Sequence, residues 1–287
     1  MTRATTLLVD VSSLAHRAWH STGGLMSYDG NPTGVLFGVL RDIESVVDQF
    51  GSDQVVFAFD SGGSGYRGQL YPAYKANREQ ILDEEAQQSL TFLRQQIKRL
   101  KQEVLPAMGY KNLFRVKGYE ADDILAYCAE RIEGRDAVIV TDDKDLWQCL
   151  QTHVSWYGPR AKRLVTSQSF YDEWGIDPAM WATVKALAGC SSDNIAGIKG
   201  IGEKSVAKWL RNELKPSSSK YKLIEDGLGI IKQNMDLVRL PFPGLELKEL
   251  VDDESTQQKR NEVLSSLGIK KRGTSARTRA VARGFWE

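Results

Sequence analysis

Histidine and cysteine are scarce in this chain. The three histidines, His16, His20 and His153, do not fall at a metal-ligand spacing. That argues against zinc, which wants imidazole and thiolate ligands. The three cysteines, Cys128, Cys149 and Cys190, are odd in number and sit in apolar or motif contexts. They read as free thiols of a reducing cytoplasm, not as a disulfide framework. No apolar run approaches the ~18 residues that span a bilayer. The start, MTRATTLLVDVSS, has an apolar core too short for a secretory leader and broken by Asp10. Net charge is also small, at +1. The chain is therefore no polycation, and any nucleic-acid site must come from local clustering. There is no internal repeat.

What is present is ordinary globular composition: 41% hydrophobic and 26% charged residues over 287 positions. That is enough for one large or two modest domains with a substantial core. Through the first half, short apolar runs alternate with helical patterns, which favours a parallel α/β sheet. Three runs stand out: TTLLVD ending in Asp10, QVVFAFD ending in Asp60, and AVIVTDDKD ending in Asp142, Asp143 and Asp145. Strands of this kind are buried on both faces. Their carboxyl ends share one edge of the sheet, where ligands bind in open α/β folds. An Asp after a strand can also do no more than cap the next helix. Three such strands together favour a shared site.

Residues 83–105 read as one long polar helix, with Leu90, Leu93, Ile97, Leu100 and Val104 at helical spacing and Pro106 closing it. From about residue 176 the character changes. DPAMWATVKALAG offers Asp177 as a cap and Pro178 at the first helical position. CSSDN and IAGIKGIG follow, then a further helix in EKSVAKWLRNEL, and KPSSSK (215–220) reads as a linker or flexible loop. After Gly268, the six cations Lys270, Lys271, Arg272, Arg277, Arg279 and Arg283 precede a single Glu287. That tail is either a DNA- or partner-binding extension or a solvated end.

GYEADDILA (118–126) crowds Glu120, Asp122 and Asp123 in front of an apolar helix. Like charges held close resist ionising together, and burial strengthens the resistance. With Asp10, Asp60, Asp143 and Asp145 at the same edge, the cluster needs cations. Oxygen-only ligands suit Mg²⁺ or Mn²⁺. Two such ions about 4 Å apart would activate a water and stabilise the leaving oxygen of a phosphodiester. The plainer alternative is an acidic first turn that complements the helix dipole. In GIKGIG, Gly197, Gly200 and Gly202 permit tight bends and close approach. The helix that follows offers free N–H groups beside Lys199 and Lys204, an anion site suited to a DNA phosphate. A simple helix–turn–helix corner would show the same glycines.

In combination, LLVD, FAFD, YPAYKANR, GYEADDILA, TDDKDLWQCL and KALAGCSSDNIAGIKGIGEKSVAKWL resemble the flap endonuclease / 5′→3′ exonuclease family, in its bacteriophage and DNA-polymerase-I-associated branch. They cover roughly residues 5–212 in the family's order. The resemblance implies a PIN-like α/β catalytic domain over 1–175, with a mixed, mostly parallel sheet and a helical arch at about 67–106. It also implies a helix–three-turn–helix DNA-binding region over 176–267, followed by the basic tail, 268–287. With no polymerase domain in this sequence, the expectation is a free-standing, monomeric, cytoplasmic enzyme of a bacterium or phage-infected host. It would hydrolyse DNA near 5′ flaps, nicks and ends, and primer RNA on DNA, in replication and repair.

Residue by residue, the resemblance makes Asp10, Asp60, Glu120, Asp122, Asp123, Asp143 and Asp145 metal ligands or their water-mediated partners. Asp193 joins the second metal, and Asp142 falls beside the motif. Tyr74, Lys75 and Arg78 match the foot of the arch, where a ring stacks a base and cations hold the scissile phosphate. Arg17 and Arg67 are expected at phosphates. Gly200, Gly202 and Lys204 match the duplex-binding hairpin, which in some relatives holds K⁺ through backbone carbonyls. The tail could also dock a replication protein.

Two departures stand out. Cys190 occupies a position where relatives carry Asp, so the second ion should be held more weakly. EQILDEEAQQ (79–88) brings Glu79, Asp83, Glu84 and Glu85 to the arch entrance without a cation. The rival expectations are a PIN-like ribonuclease, which would lack the GIKGIGEK and YKANR segments, and a non-catalytic structure-specific DNA-binding protein. An unfilled acid cluster would repel DNA.

Overall fold

The computed structural model describes residues 3–23, 25, 33–62, 65–76 and 84–268. Arg78, most of the acidic arch entrance and the basic tail lie outside the described residues.

Six strands form one sheet in the order β3-β2-β1-β4-β5-β6. They are β1 (Thr5–Asp10), β2 (Gln54–Ala58), β3 (Asn112–Phe114), β4 (Asp136–Val140), β5 (Val154–Gly158) and β6 (Arg163–Val165). The first five run parallel; only β6 pairs antiparallel, on β5. β1 is the central strand and is buried along its whole length. Alternation along the strands builds two cores. Leu8, Val56, Ala58, Ala137 and Ile139 face one side. Leu7, Val9, Val55, Phe57, Val138 and Val140 face the other. This is the two-sided burial expected of β-branched runs in a parallel sheet.

Helices α1 (Val11–Thr22), α2 (Gly34–Phe50) and α4 (Glu84–Arg99) cover the second face, while α6 (Ala121–Arg131) and α8 (Trp181–Ala188) cover the first. α3 (Gly65–Leu70) and a turn over 72–76 precede α4. The single helix expected over 83–105 is interrupted. α4 runs into a π-helical turn, Leu100–Val104, and then into α5 (Leu105–Ala107), so Pro106 sits in a helical first turn and does not end the segment. The wider turn keeps Leu93, Leu100 and Val104 on one buried face. Asp177 caps a 3-10 turn, Pro178–Met180, and α8 starts only at Trp181.

α7 (Ser167–Trp174), α9 (Glu203–Leu210), α10 (Ser219–Gly227), α11 (Ile230–Val238) and α12 (Gln257–Ser266) complete the helices. KPSSSK is not a free linker, because Ser218 caps α10 and Lys220 Nζ donates to Ser205 Oγ at 3.1 Å. The chain then returns to the sheet. The Asp253 carboxylate accepts from the amides of Val55 (2.7 Å) and Lys111 (2.8 Å), while Arg260 pairs with Glu44 at 2.9 Å.

Candidate metal centre

The carboxyl ends of β1, β2 and β4 lie side by side, because the strands between them are parallel and in register. Asp10 closes β1, and its Oδ1 caps α1 by accepting from the Ser13 amide at 2.9 Å. Its Oδ2 accepts from Thr141 Oγ1 at 2.9 Å. Asp60 follows β2 and accepts from the Ala121 amide, at the start of α6, at 2.9 Å. Asp143 follows β4 and caps the 3-10 turn Lys144–Cys149 through the Asp145 amide at 2.8 Å. Asp10 and Asp143 thus cap the next helical start, as the plain alternative required, whereas Asp60 caps the distant α6; the capping bond uses one oxygen of each.

The fields of these groups overlap. Burial and the charge of Asp60 push Asp10 up to about 7, with Asp143 adding to the rise. Burial, then Asp143 and Asp10, hold Asp122 well above the ordinary carboxylate range. Asp145 is pushed up to about 6 by burial and Asp143, against the pull of Lys185. Asp10, Asp60, Asp122 and Asp143 form one group, and Asp145 continues it towards Asp193 and Cys190. One ligand atom from each of Asp145, Cys190 and Asp193 lies within 4.8 Å of the others. The first group offers only hard oxygens, and burial with neighbouring charge makes Asp10 and Asp122 resist ionising without a cation, so the donor set fits a divalent hard ion. At the second position the Cys190 thiol is a poor match to such an ion. Cys190 Sγ instead shares a hydrogen bond with Ser192 Oγ at 3.0 Å.

Four expected site residues are engaged elsewhere in this structure. Asp123 does not join the cluster. It is 0% exposed and forms two parallel bonds with Arg67, Oδ1 to Nη2 at 2.7 Å and Oδ2 to Nη1 at 2.8 Å. It also accepts from the amides of Phe242 (2.8 Å) and Glu120 (3.1 Å). At helix position N3 it is turned back onto the chain that enters α6, away from the sheet edge. Arg67, for its part, is 3% exposed and binds the Leu237 carbonyl at 2.8 Å, so it is no surface phosphate contact. Arg17 pairs with Asp42 across α1 and α2. Tyr74 is 4% exposed, in a small apolar cluster with Ala182, Ala186, Ile195, Leu237 and Val238. Its ring is covered, not presented to a base.

Lys75 lies beside the cluster. Its ammonium donates to Glu120 Oε1 at 2.6 Å, and Tyr74 Oη donates to Glu120 Oε2 at 2.9 Å. Burial alone would lower the lysine, but Glu120 and Asp193 outweigh it and raise its pKa. Asp142 accepts from the Arg160 amide at 3.0 Å, away from the group. Lys199, Gly200 and Gly202, on the turn before α9, and Lys204, in its first turn, are exposed. Gly200 has φ +81°, which needs glycine, and Gly202 caps α9 with no side chain over the helix amides.

Sequence reasoning passed over Lys185. It is 9% exposed and bridges Asp145 (3.0 Å) and Glu203 (3.3 Å), joining the acid cluster to α9. Its signal was there: one lysine in the otherwise apolar WATVKALA.

The fold is PIN-like, and its strand ends carry a carboxylate cluster fit for divalent cations. The family described as 5′-3′ exonuclease, N-terminal resolvase-like domain, matches residues 5–175. A 5′-3′ exonuclease of Bacillus subtilis is 35% identical over 214 residues, covering 71% of this chain and 69% of that protein. The chain belongs to this 5′-3′ exonuclease family. The thermostable DNA polymerase I of Thermus thermophilus is 36% identical over 207 residues, but the match spans only 24% of that protein. Among solved structures, the T5 5′-exonuclease with bound divalent metal ions (zinc) superposes with a TM-score of 0.71 at 20% identity, covering 92% of this chain and 98% of that one.

Proposed function

We propose that the chain is a structure-specific 5′ nuclease that hydrolyses phosphodiesters near 5′ flaps and ends of DNA, and of RNA primers on DNA. The observation that carries it is the carboxylate cluster at the parallel strand ends, with Lys75 ion-paired at its rim. Asp10, Asp60, Asp122 and Asp143 would hold one divalent ion, with Mg²⁺ the expected species. Asp145 and Asp193 would hold a second, more weakly because Cys190 supplies no hard oxygen. Bound there, such ions supply an activated water and charge stabilisation at the leaving oxygen.

The protein's own groups do the rest. Glu120 and the Tyr74 hydroxyl keep the Lys75 ammonium at the rim, where it meets the scissile phosphate and offsets charge that develops on it. Lys185 keeps Asp145 turned towards Asp193. Exposed amides at the start of α9, with Lys199 and Lys204, grip a phosphate of the duplex, and carbonyls of that hairpin would take K⁺. Arg78 would add a second cation at the arch foot. Among the described residues no helix is long and apolar enough to cross a membrane, and we place the activity in the cytoplasm.

The test is incubation of the protein with a labelled 5′-flap duplex and, separately, single-stranded RNA, with and without Mg²⁺. Mg²⁺-dependent flap cleavage without comparable RNA cleavage supports the proposal. Preferential RNA cleavage would point to a PIN-like ribonuclease. Tight flap binding without cleavage would leave a binding protein.

A further inference from the structure

The arch foot is fastened to the loop that carries Asp193. Cys190 and Ile195 exchange two backbone bonds, each 2.9 Å, which close 190–195 into a tight loop. The Lys75 amide donates to the Asp193 carbonyl at 2.9 Å. One residue on, Asn194 Nδ2 donates to the Ala73 carbonyl at 2.8 Å. These two bonds flank Tyr74, whose ring packs on Ile195, α8 and α11 and not on the sheet. Both Lys75 (φ 55°) and Asn194 (φ 57°) are in the left-handed region. Asparagine tolerates that conformation better than most residues. For lysine it is unfavourable and persists only where the surroundings impose it.

We propose that Asn194 is a positioning residue for Lys75. Its amide holds the Ala73 carbonyl, and with the Asp193 carbonyl this fixes the strained turn that aims the Lys75 ammonium at the acid cluster. Lys75 and the Asp193 carboxylate are then set as one unit. That unit is continuous, through Ile195 and Gly197, with the hairpin before α9. A duplex seated on the hairpin would therefore also place Lys75. This inference rests on the proposed role of Lys75 at the scissile phosphate.

The experiment compares wild type, Asn194→Gly, Asn194→Asp, Lys75→Ala and the double variant Asn194→Gly with Lys75→Ala. Both Asn194 variants tolerate the left-handed backbone and lose the amide donor, so either serves if the other fails to fold. Two quantities are read: hydrogen exchange of the amides over 73–76, and single-turnover cleavage and binding of a labelled 5′-flap duplex. Loss of one hydrogen bond predicts faster exchange at the Lys75 amide and a single-turnover rate roughly 5- to 10-fold lower, with duplex affinity within about 2-fold of wild type. In the Lys75→Ala background, Asn194→Gly should lower the rate no further. Unchanged exchange in the Asn194 variants overturns the clamp itself. Effects of Asn194→Gly and Lys75→Ala that multiply, or a loss confined to binding, overturn its action through Lys75. A wild-type rate in Lys75→Ala alone, with exchange still accelerated in the Asn194 variants, would bring down the proposed role of Lys75 and this inference with it, while leaving the clamp as a structural fact.

Discussion

Asp122 and Asp123 are adjacent, and replacing each with asparagine should move the stability of the metal-free protein in opposite directions. Asp123 accepts four hydrogen bonds, two of them from the buried Arg67 guanidinium. Neutralising it leaves that guanidinium with Glu120 at 3.5 Å as its nearest other carboxylate. Breaking a buried pair from one side costs about 3–5 kcal/mol. Asparagine keeps one acceptor oxygen, so about 3 kcal/mol is expected. Asp122 is the reverse case. Burial, Asp143, Asp10 and Asp60 all raise its pKa, so its charged form at pH 7 works against the native state. Asp122→Asn removes that charge and should stabilise the metal-free protein. Urea unfolding at pH 7 with a chelator reads both. Asp123→Asn should lower the midpoint by about 1 M, given slopes of roughly 1–3 kcal/mol/M, and Asp122→Asn should raise it. Two shifts of the same sign would refute the division of this motif into a lock and a ligand.

Other outcomes follow from the same geometry. Asp10 has an ordinary value of 3.8 and a native value of about 7. Its native-state proton thus adds stability that is complete below pH ~4 and lost as pH rises through about 7. The melting temperature of chelated protein should fall over that window, and Mg²⁺ should flatten the fall; a chelated profile that rises instead contradicts the assigned burial. Cys190→Ser should be almost silent in Mg²⁺, whereas Cys190→Asp should lower the Mg²⁺ concentration for half-maximal cleavage. Coincident titrations of wild type and Cys190→Asp would sink the weakened second site. Truncation after Gly268 should flatten the salt dependence of DNA affinity if the basic tail meets phosphates, and an unchanged slope leaves only its partner or solvated readings.

The sheet was legible because buried parallel strands need unbroken β-branched and apolar runs, and TTLLVD, QVVFA and DAVIV are such runs. The edge that carries Asp10, Asp60 and Asp143 follows from parallel pairing alone. What stayed hidden depended on direction or on distance along the chain. A sequence shows that Asp122 and Asp123 are acidic, but not that successive helix positions aim one at the sheet edge and the other at Arg67, 56 residues earlier. The cover over Tyr74 comes from Leu237 and Val238, far downstream. The return of Asp253 to β2 and β3 has no local pattern either, since its partners are backbone amides 198 and 142 residues away. The π-turn in 100–104 adds one residue to a helical turn, too small a change for spacing to reveal among apolar residues.

The most direct measurement is single-turnover cleavage of a labelled 5′-flap duplex by wild type and Asp145→Asn in Mg²⁺, with binding measured on the same preparations. If the acid cluster holds the catalytic ions, Asp145→Asn should cleave at a small fraction of the wild-type rate. It should bind the duplex as tightly as wild type or more so, because a negative charge beside DNA has been removed. Cleavage at the wild-type rate would show that the carboxylate takes no part in catalysis, and the proposed centre would be contradicted at that residue.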